Sequence, residues 1–168
     1  MKRFTLFTLI AIMALTSINL DAKTKAPKSS NIPFEKLVAM IATEAHWKEK
    51  NIAKLGLKRL IKKTSREEYG TDIWFIYGNN VKATANKPWT ANLTSTGSHA
   101  YAIELALTTD NSTSLYFKEK ADHDAFMSCA RNSKYYDNSD EDYEYIGSSM
   151  ISSDEYINGW YVISFHGG

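Results

Sequence analysis

The amino-acid sequence predicts an α+β domain: an antiparallel sheet of about five to six strands with two helices packed on one face, in which a helix-then-strands unit occurs twice. Three observations carry this expectation. Residues 100–131 hold two strand patterns and one helix pattern with almost no linker between them. Ile73-Trp74-Phe75-Ile76-Tyr77 is apolar on both faces, as an interior strand must be. Phe34, Leu37, Val38, Ile41 and Ala45 keep the spacing of a helix with one apolar stripe.

Met1-Lys2-Arg3 leads into an uncharged apolar run from Phe4 to Leu15, and a polar patch ends at Ala22-Lys23. Basic start, short apolar core and small residue read as a secretory signal peptide over 1–22, cut after Ala22. About a dozen apolar residues fall short of the roughly 20 that a spanning helix needs, so no membrane span is expected after cleavage. The expected location is secreted or periplasmic. Residues 23–30 contain only Lys, Thr, Ala, Pro and Ser and read as a flexible leader. Residues 31–168 then form one domain, a length able to bury roughly 70% of its unfolded surface in a single core.

Within that domain, Asn31 stands where a helix cap is wanted and Pro33 falls in the first turn. Residues 47–55 continue this helix or form a second short one ended by Gly56. Leu57 to Thr64 is read as a strand, although Leu57, Leu60 and Ile61 also fit a helical spacing. Lys82 to His99, with Pro88, Gly97 and scattered Thr, Ser and Asn, reads as a long loop with a short strand at Thr90 to Thr94. Tyr101, Ile103, Leu105 and Leu107 alternate with smaller or polar residues, and Leu115 and Phe117 share one face of the next strand. Asp122-His123-Asp124 opens a helix whose stripe is Phe126, Cys129 and Ala130. Beyond it come a short strand at 134–137, an acidic turn at 138–142, a strand at 143–151, a turn at 152–155 and a last strand at 160–165. That strand sends Tyr161, Ile163 and Phe165 to one side and Trp160 and Val162 to the other. In element order the arrangement resembles the helix-plus-sheet repeat of secreted β-lactamase-inhibitory-protein-like modules, with the second unit one strand short.

Charge divides along the chain. Residues 23–89 carry 14 Lys plus Arg against 6 Asp plus Glu, whereas residues 90–168 carry 4 against 12. The two halves either neutralise one another within the fold, the simpler expectation, or present two signed faces. Cys129 is the single cysteine, so no internal disulfide forms and packing must supply stability. It reads as a small hydrophobe on its helix.

Reaction chemistry is sparse. His-Glu-x-x-His, Gly-x-Ser-x-Gly, Ser-x-x-Lys and Gly-rich phosphate loops are all missing. Residues 137–142 are dense in carboxylates but lack the turn glycine and terminal glutamate of a calcium loop. Neither a cofactor nor a metal is expected. The basic cluster around Lys58 and Lys62 reads as a solvated face, and export argues against nucleic acid.

The most pronounced feature is aromatic. Tyr135, Tyr136, Tyr143, Tyr145, Tyr156, Trp160 and Tyr161 fall within 27 residues, among acids and serines. Tyrosine gives large rigid contact area with a hydroxyl handle, a composition suited to recognition. The sequence therefore points to an exported, non-catalytic and monomeric binding module that engages a protein or glycan through a Tyr-rich acidic C-terminal surface. Its expected binding residues are Tyr135, Tyr136, Tyr143, Tyr145, Tyr156 and Trp160, with Trp89 from the long loop. The alternative is a small secreted hydrolase or lyase assembled from His99, His166 and an acid from the C-terminal half of the chain.

Overall fold

The computed structural model describes residues 31–43, 49–67, 70–87, 90–108 and 111–167. The expected signal peptide and leader lie outside them, as does Trp89. In chain order the elements are α1 (Phe34–Ala42), α2 (Glu49–Ala53), β1 (Lys58–Glu67), β2 (Gly70–Asn79), β3 (Val81–Lys87), β4 (Thr90–Ser95), β5 (Tyr101–Leu107), β6 (Ser112–Phe117), α3 (Lys120–Arg131), β7 (Tyr136–Asp137), β8 (Tyr145–Ile146), β9 (Ser149–Ile157) and β10 (Trp160–Gly167). The fold is α+β. Eight strands form one antiparallel sheet in the order β1-β2-β5-β6-β10-β9-β8-β7, and β3 with β4 makes a separate hairpin.

Both faces of the sheet are covered, which explains why β2 is apolar from Ile73 to Tyr77. On one face Leu37, Val38 and Ile41 of α1, Ile52 of α2 and Phe126, Met127 and Ala130 of α3 meet Phe75, Ile103, Leu105, Leu115, Phe117, Ile163 and Phe165. Each fully buried Leu, Ile or Phe there contributes about 2 kcal/mol. On the other face Trp74, Ile76, Ala102, Trp160 and Val162 pack under Val81, Ala83, Ala85, Ala91 and Leu93 of the hairpin. Period-two alternation along β10 delivers Ile163 and Phe165 to the first core and Trp160 and Val162 to the second, as its pattern predicts.

Several expectations are corrected. The sheet has eight strands rather than five or six, and a third, five-residue helix is present. Within the stretch taken as a long loop, the short strand expected at Thr90 to Thr94 is β4, but it pairs with a second strand, β3, whose apolar side rests on alternating alanines and so gives little hydrophobic signal. Asn31 does not cap α1; Pro33 holds that position without a side-chain hydrogen bond. The strand expected over 143–151 is broken at Gly147, whose φ of +66° makes a turn between β8 and β9. Ser152 to Glu155 belongs to β9 instead of a turn, since an edge strand facing solvent needs no apolar residues. Leu57 to Thr64 is resolved in favour of the strand β1.

The charges carried by the outer strands of the sheet are kept apart. Lys58, Arg59, Lys62, Lys63 and Arg66 lie on β1 at one edge, while Asp137, Asp154 and Glu155 lie on β7 and β9 near the other. At about 4.8 Å per inter-strand step, the outermost strands stand roughly 30 Å apart. The sheet therefore has a basic edge and an acidic one.

Candidate binding surface

The acidic end of the sheet carries an open strand edge. β9 pairs with β10 at every residue but Ser152, yet on its outer side it meets β8 only at Ser149 and Met150, after which the Ile151 N–H donates to the Glu144 carbonyl at 2.9 Å. From Ser152, where a bulge interrupts the pairing with β10, to Ile157 no strand covers that edge among the described residues. Asp154, Glu155, Tyr156 and Ile157 are all exposed, with Tyr156 at 64%. Register places Asp154 and Tyr156 beside Ile163 and Tyr161 on the helix side, and Glu155 beside Val162 on the hairpin side.

This edge is fixed from behind by α3. His123 Nε2 stands 2.8 Å from Asp154 Oδ1, and its Nδ1 stands 3.0 Å from Asp124 Oδ1. Lys120 Nζ donates to Asp124, and that bond, with the His123 contact, holds the Asp124 carboxyl below the usual carboxylate range. Tyr156 leans on Tyr161 with ring centroids 4.7 Å apart, and Tyr161 packs 5.6 Å from the His123 ring. Both imidazole nitrogens face carboxylate oxygens, so His123 serves as a strut for β9.

The expected binding residues do not form one patch. Tyr143 is exposed, Tyr136 and Tyr145 are half-buried, and all three lie at the β7–β8 end. Tyr136 donates its hydroxyl to Glu144 Oε1 at 2.9 Å, and Arg131 Nη2 donates to Glu144 Oε2 at 3.0 Å. Tyr156 is six residues along β9 from Met150, the partner of Tyr145, or about 20 Å at the usual strand rise. Tyr135 packs against the helix-side core, with Lys134 Nζ 5.1 Å from its ring centroid. Trp160 is only 3% exposed and belongs to the second core, its Nε1 donating to the Leu93 carbonyl at 3.3 Å. Sequence reasoning missed Asp154, Glu155 and Ile157 as site residues. The signal available was the register of β10, which continues into a complementary strand across Asn158-Gly159.

A cavity of about 320 Å³ lies between the hairpin and the sheet, bounded by Leu93, Glu104, Tyr116, Trp160 and the end of β9 at Ile157 and Asn158. Glu104 stands in it as a structural tie. Its Oε1 accepts Trp74 Nε1–H at 2.6 Å, and its Oε2 accepts the Tyr116 hydroxyl. Burial, reinforced by the Glu104 charge and hydrogen bond, pushes the Tyr116 phenol far above its ordinary range. Ser114 and Ser164 continue the polar row across β6 and β10 at 2.9 Å.

The histidines proposed for a hydrolytic site are kept apart. His99 precedes β5 beside the end of β6, where the Lys118 N–H donates to the Ala100 carbonyl, whereas His166 pairs with Ser112 at the start of β6. Six residues of strand, about 20 Å, separate these ends. His99 instead meets Glu119 and Asp122, and their ligand atoms lie within 4.8 Å of one another, the one such group among the described residues. In the acidic turn, Asp137 and Asp140 accept the Ser139 and Asp142 N–H groups at 2.8 and 2.9 Å, so these carboxylates hold their own loop. No described helix is long and apolar enough to cross a membrane.

No protein-family model, curated protein or solved structure matches the chain. The resemblance in element order to β-lactamase-inhibitory-protein-like modules gains no support from these comparisons.

Proposed function

We propose that the protein is an exported, non-catalytic binding module that takes a basic, extended segment of a partner protein onto the outer edge of β9. The observation that carries this reading is the uncovered run from Ser152 to Ile157. It is six residues long, offers main-chain donors and acceptors, and displays Asp154, Glu155 and Tyr156. Strand addition draws affinity from main-chain hydrogen bonds and specificity from alternate side chains. Here Glu155 faces one side and Tyr156 the other, so lysine or arginine at alternate partner positions meets the carboxylate while an intervening side chain lies on the tyrosine ring. The opposite edge carries five cations on β1, the usual means of blocking such pairing. β9 has neither lysine nor proline.

The test is titration of a fluorescent eight-residue peptide of alternating Lys and Val into the protein, read by anisotropy. Saturable binding is expected, and Glu155→Lys with Tyr156→Ala should weaken it at least tenfold, about 1.4 kcal/mol. Unchanged affinity in that double variant would refute the β9 site. Loss in Tyr143→Ala/Tyr145→Ala alone would move the surface to the β7–β8 end.

A further inference from the structure

We infer that His99, Glu119 and Asp122 form a binding site for a first-row divalent cation, with Zn²⁺ the best match to its donors. The group lies apart from the β9 edge and stands on separate observations. Chain topology brings it together: His99 directly precedes β5, Glu119 follows β6 as the residue capping α3, and Asp122 sits in the first turn of α3. The backbone bond from Lys118 N–H to the Ala100 carbonyl, 2.9 Å long, clamps the two segments side by side.

Each side chain is turned toward the same point. Glu119 makes no side-chain capping bond to its own helix and instead accepts the His99 backbone N–H on Oε1 at 2.9 Å, leaving Oε2 directed at the imidazole. His99 Nδ1 stands 3.0 and 3.1 Å from the two Asp122 oxygens and 3.6 Å from Glu119 Oε2. Adjacent donors on a tetrahedral Zn²⁺, each about 2.0–2.1 Å from the ion, are separated by about 3.3 Å, a value that the 3.0, 3.1 and 3.6 Å spacings bracket, the two shorter being hydrogen-bond distances as well. His99 reaches this position with a φ of +52°, a left-handed backbone that asparagine, aspartate and histidine take more readily than other non-glycine residues.

The two carboxylates leave room for a further positive charge. Asp122 is 3% exposed, and the partner that both it and Glu119 meet is the His99 imidazole, with no lysine or arginine within ion-pair distance of either among the described residues. A buried carboxylate is stabilised by a partner charge or a metal. One imidazole nitrogen with two carboxylates suits zinc and its neighbours, whereas calcium and magnesium favour all-oxygen shells.

The competing assignment is a histidine–aspartate hydrogen bond that merely anchors the start of α3, and calorimetry separates the two. Chelator-treated protein titrated with ZnCl₂ should bind one ion per chain at this site. Binding should weaken at least tenfold in His99→Asn, which tolerates the left-handed backbone, and in Glu119→Gln, which keeps the acceptor for the His99 N–H. Both variants should retain the wild-type circular dichroism, and His166→Asn should bind as the parent does. Absence of saturable heat in the parent, undiminished affinity in His99→Asn, or loss confined to His166→Asn would overturn the assignment.

Discussion

Gly147 lies directly against the C-terminal end of α1: a Cβ built on it would stand 2.1 Å from the Ala42 carbonyl oxygen and 2.7 Å from its carbon. Two residues on, Ser149 Oγ donates to the Ile41 carbonyl at 3.1 Å, so the β8–β9 turn satisfies and seats the last turn of the helix. Gly147→Ala meets both a backbone clash and a φ of +66°. It is expected to cost about 3 kcal/mol or more and to lower the thermal midpoint by at least 8 °C. A variant melting within 2 °C of the parent would show that α1 yields without cost.

The same end of the sheet is acid-sensitive through Glu144. Its hydrogen bond from Arg131 outweighs desolvation and holds the carboxyl below its ordinary value of 4.5. A carboxyl lowered by folding stabilises the native state above the unfolded value and loses that contribution as pH falls through the folded one. For a partly exposed pair the amount is about 0.5 kcal/mol after solvent screening. Glu144→Gln should therefore lower stability at pH 6 by about that amount and have a smaller effect at pH 2.5, as measured by urea unfolding. An equal loss at both pH values would refute the charge mechanism.

At the alkaline end the sign reverses. Burial pushes Tyr101 up to about 12, and Tyr116 is raised further by burial together with Glu104. Groups whose folded value exceeds the unfolded one near 10 stabilise fully below pH 10 and lose that contribution as pH rises above it. Absorbance at 295 nm should show these two phenols protonated in the native protein at pH 11. Tyr116→Phe should flatten the decline of stability between pH 10 and 11.5. A decline as steep as in the parent would remove Tyr116 as its source.

Trp160 is expected to act through packing. Trp160→Ala should cost about 3–5 kcal/mol, the usual range for emptying a buried tryptophan site. Peptide affinity per folded molecule should stay within twofold, judged by anisotropy at a temperature where the variant is folded. A tenfold loss there would return Trp160 to the recognition surface.

Legibility followed the strength of the local pattern. β5, β6, α3 and β10 were readable because alternation or helical spacing with large side chains reports directly which face is buried. β3, and with it the hairpin it makes with β4, escaped because alanines with polar neighbours carry too little hydrophobic contrast. Ser152 to Glu155 escaped because a strand at a solvent-facing edge is selected by its neighbour β10 rather than by its own propensity. At the candidate sites, tyrosine density in the sequence said nothing of direction, and the structure spread those rings over the β7–β8 end, the β9 edge and two cores. His99 and Asp122 are 23 residues apart, so their approach at 3.0 Å is invisible to any local pattern.

By itself the sequence determined the α+β class, the interior position of β2, the two faces of β10 and the division of charge between the halves of the chain, because periodicity and composition act over a few residues. Tertiary structure alone decided that the hairpin covers the second face, that acid and base go to opposite edges, that β9 is left open, and that His99 and His123 each meet two carboxylates. Those outcomes depend on strand order, which brings together residues that no local interaction links.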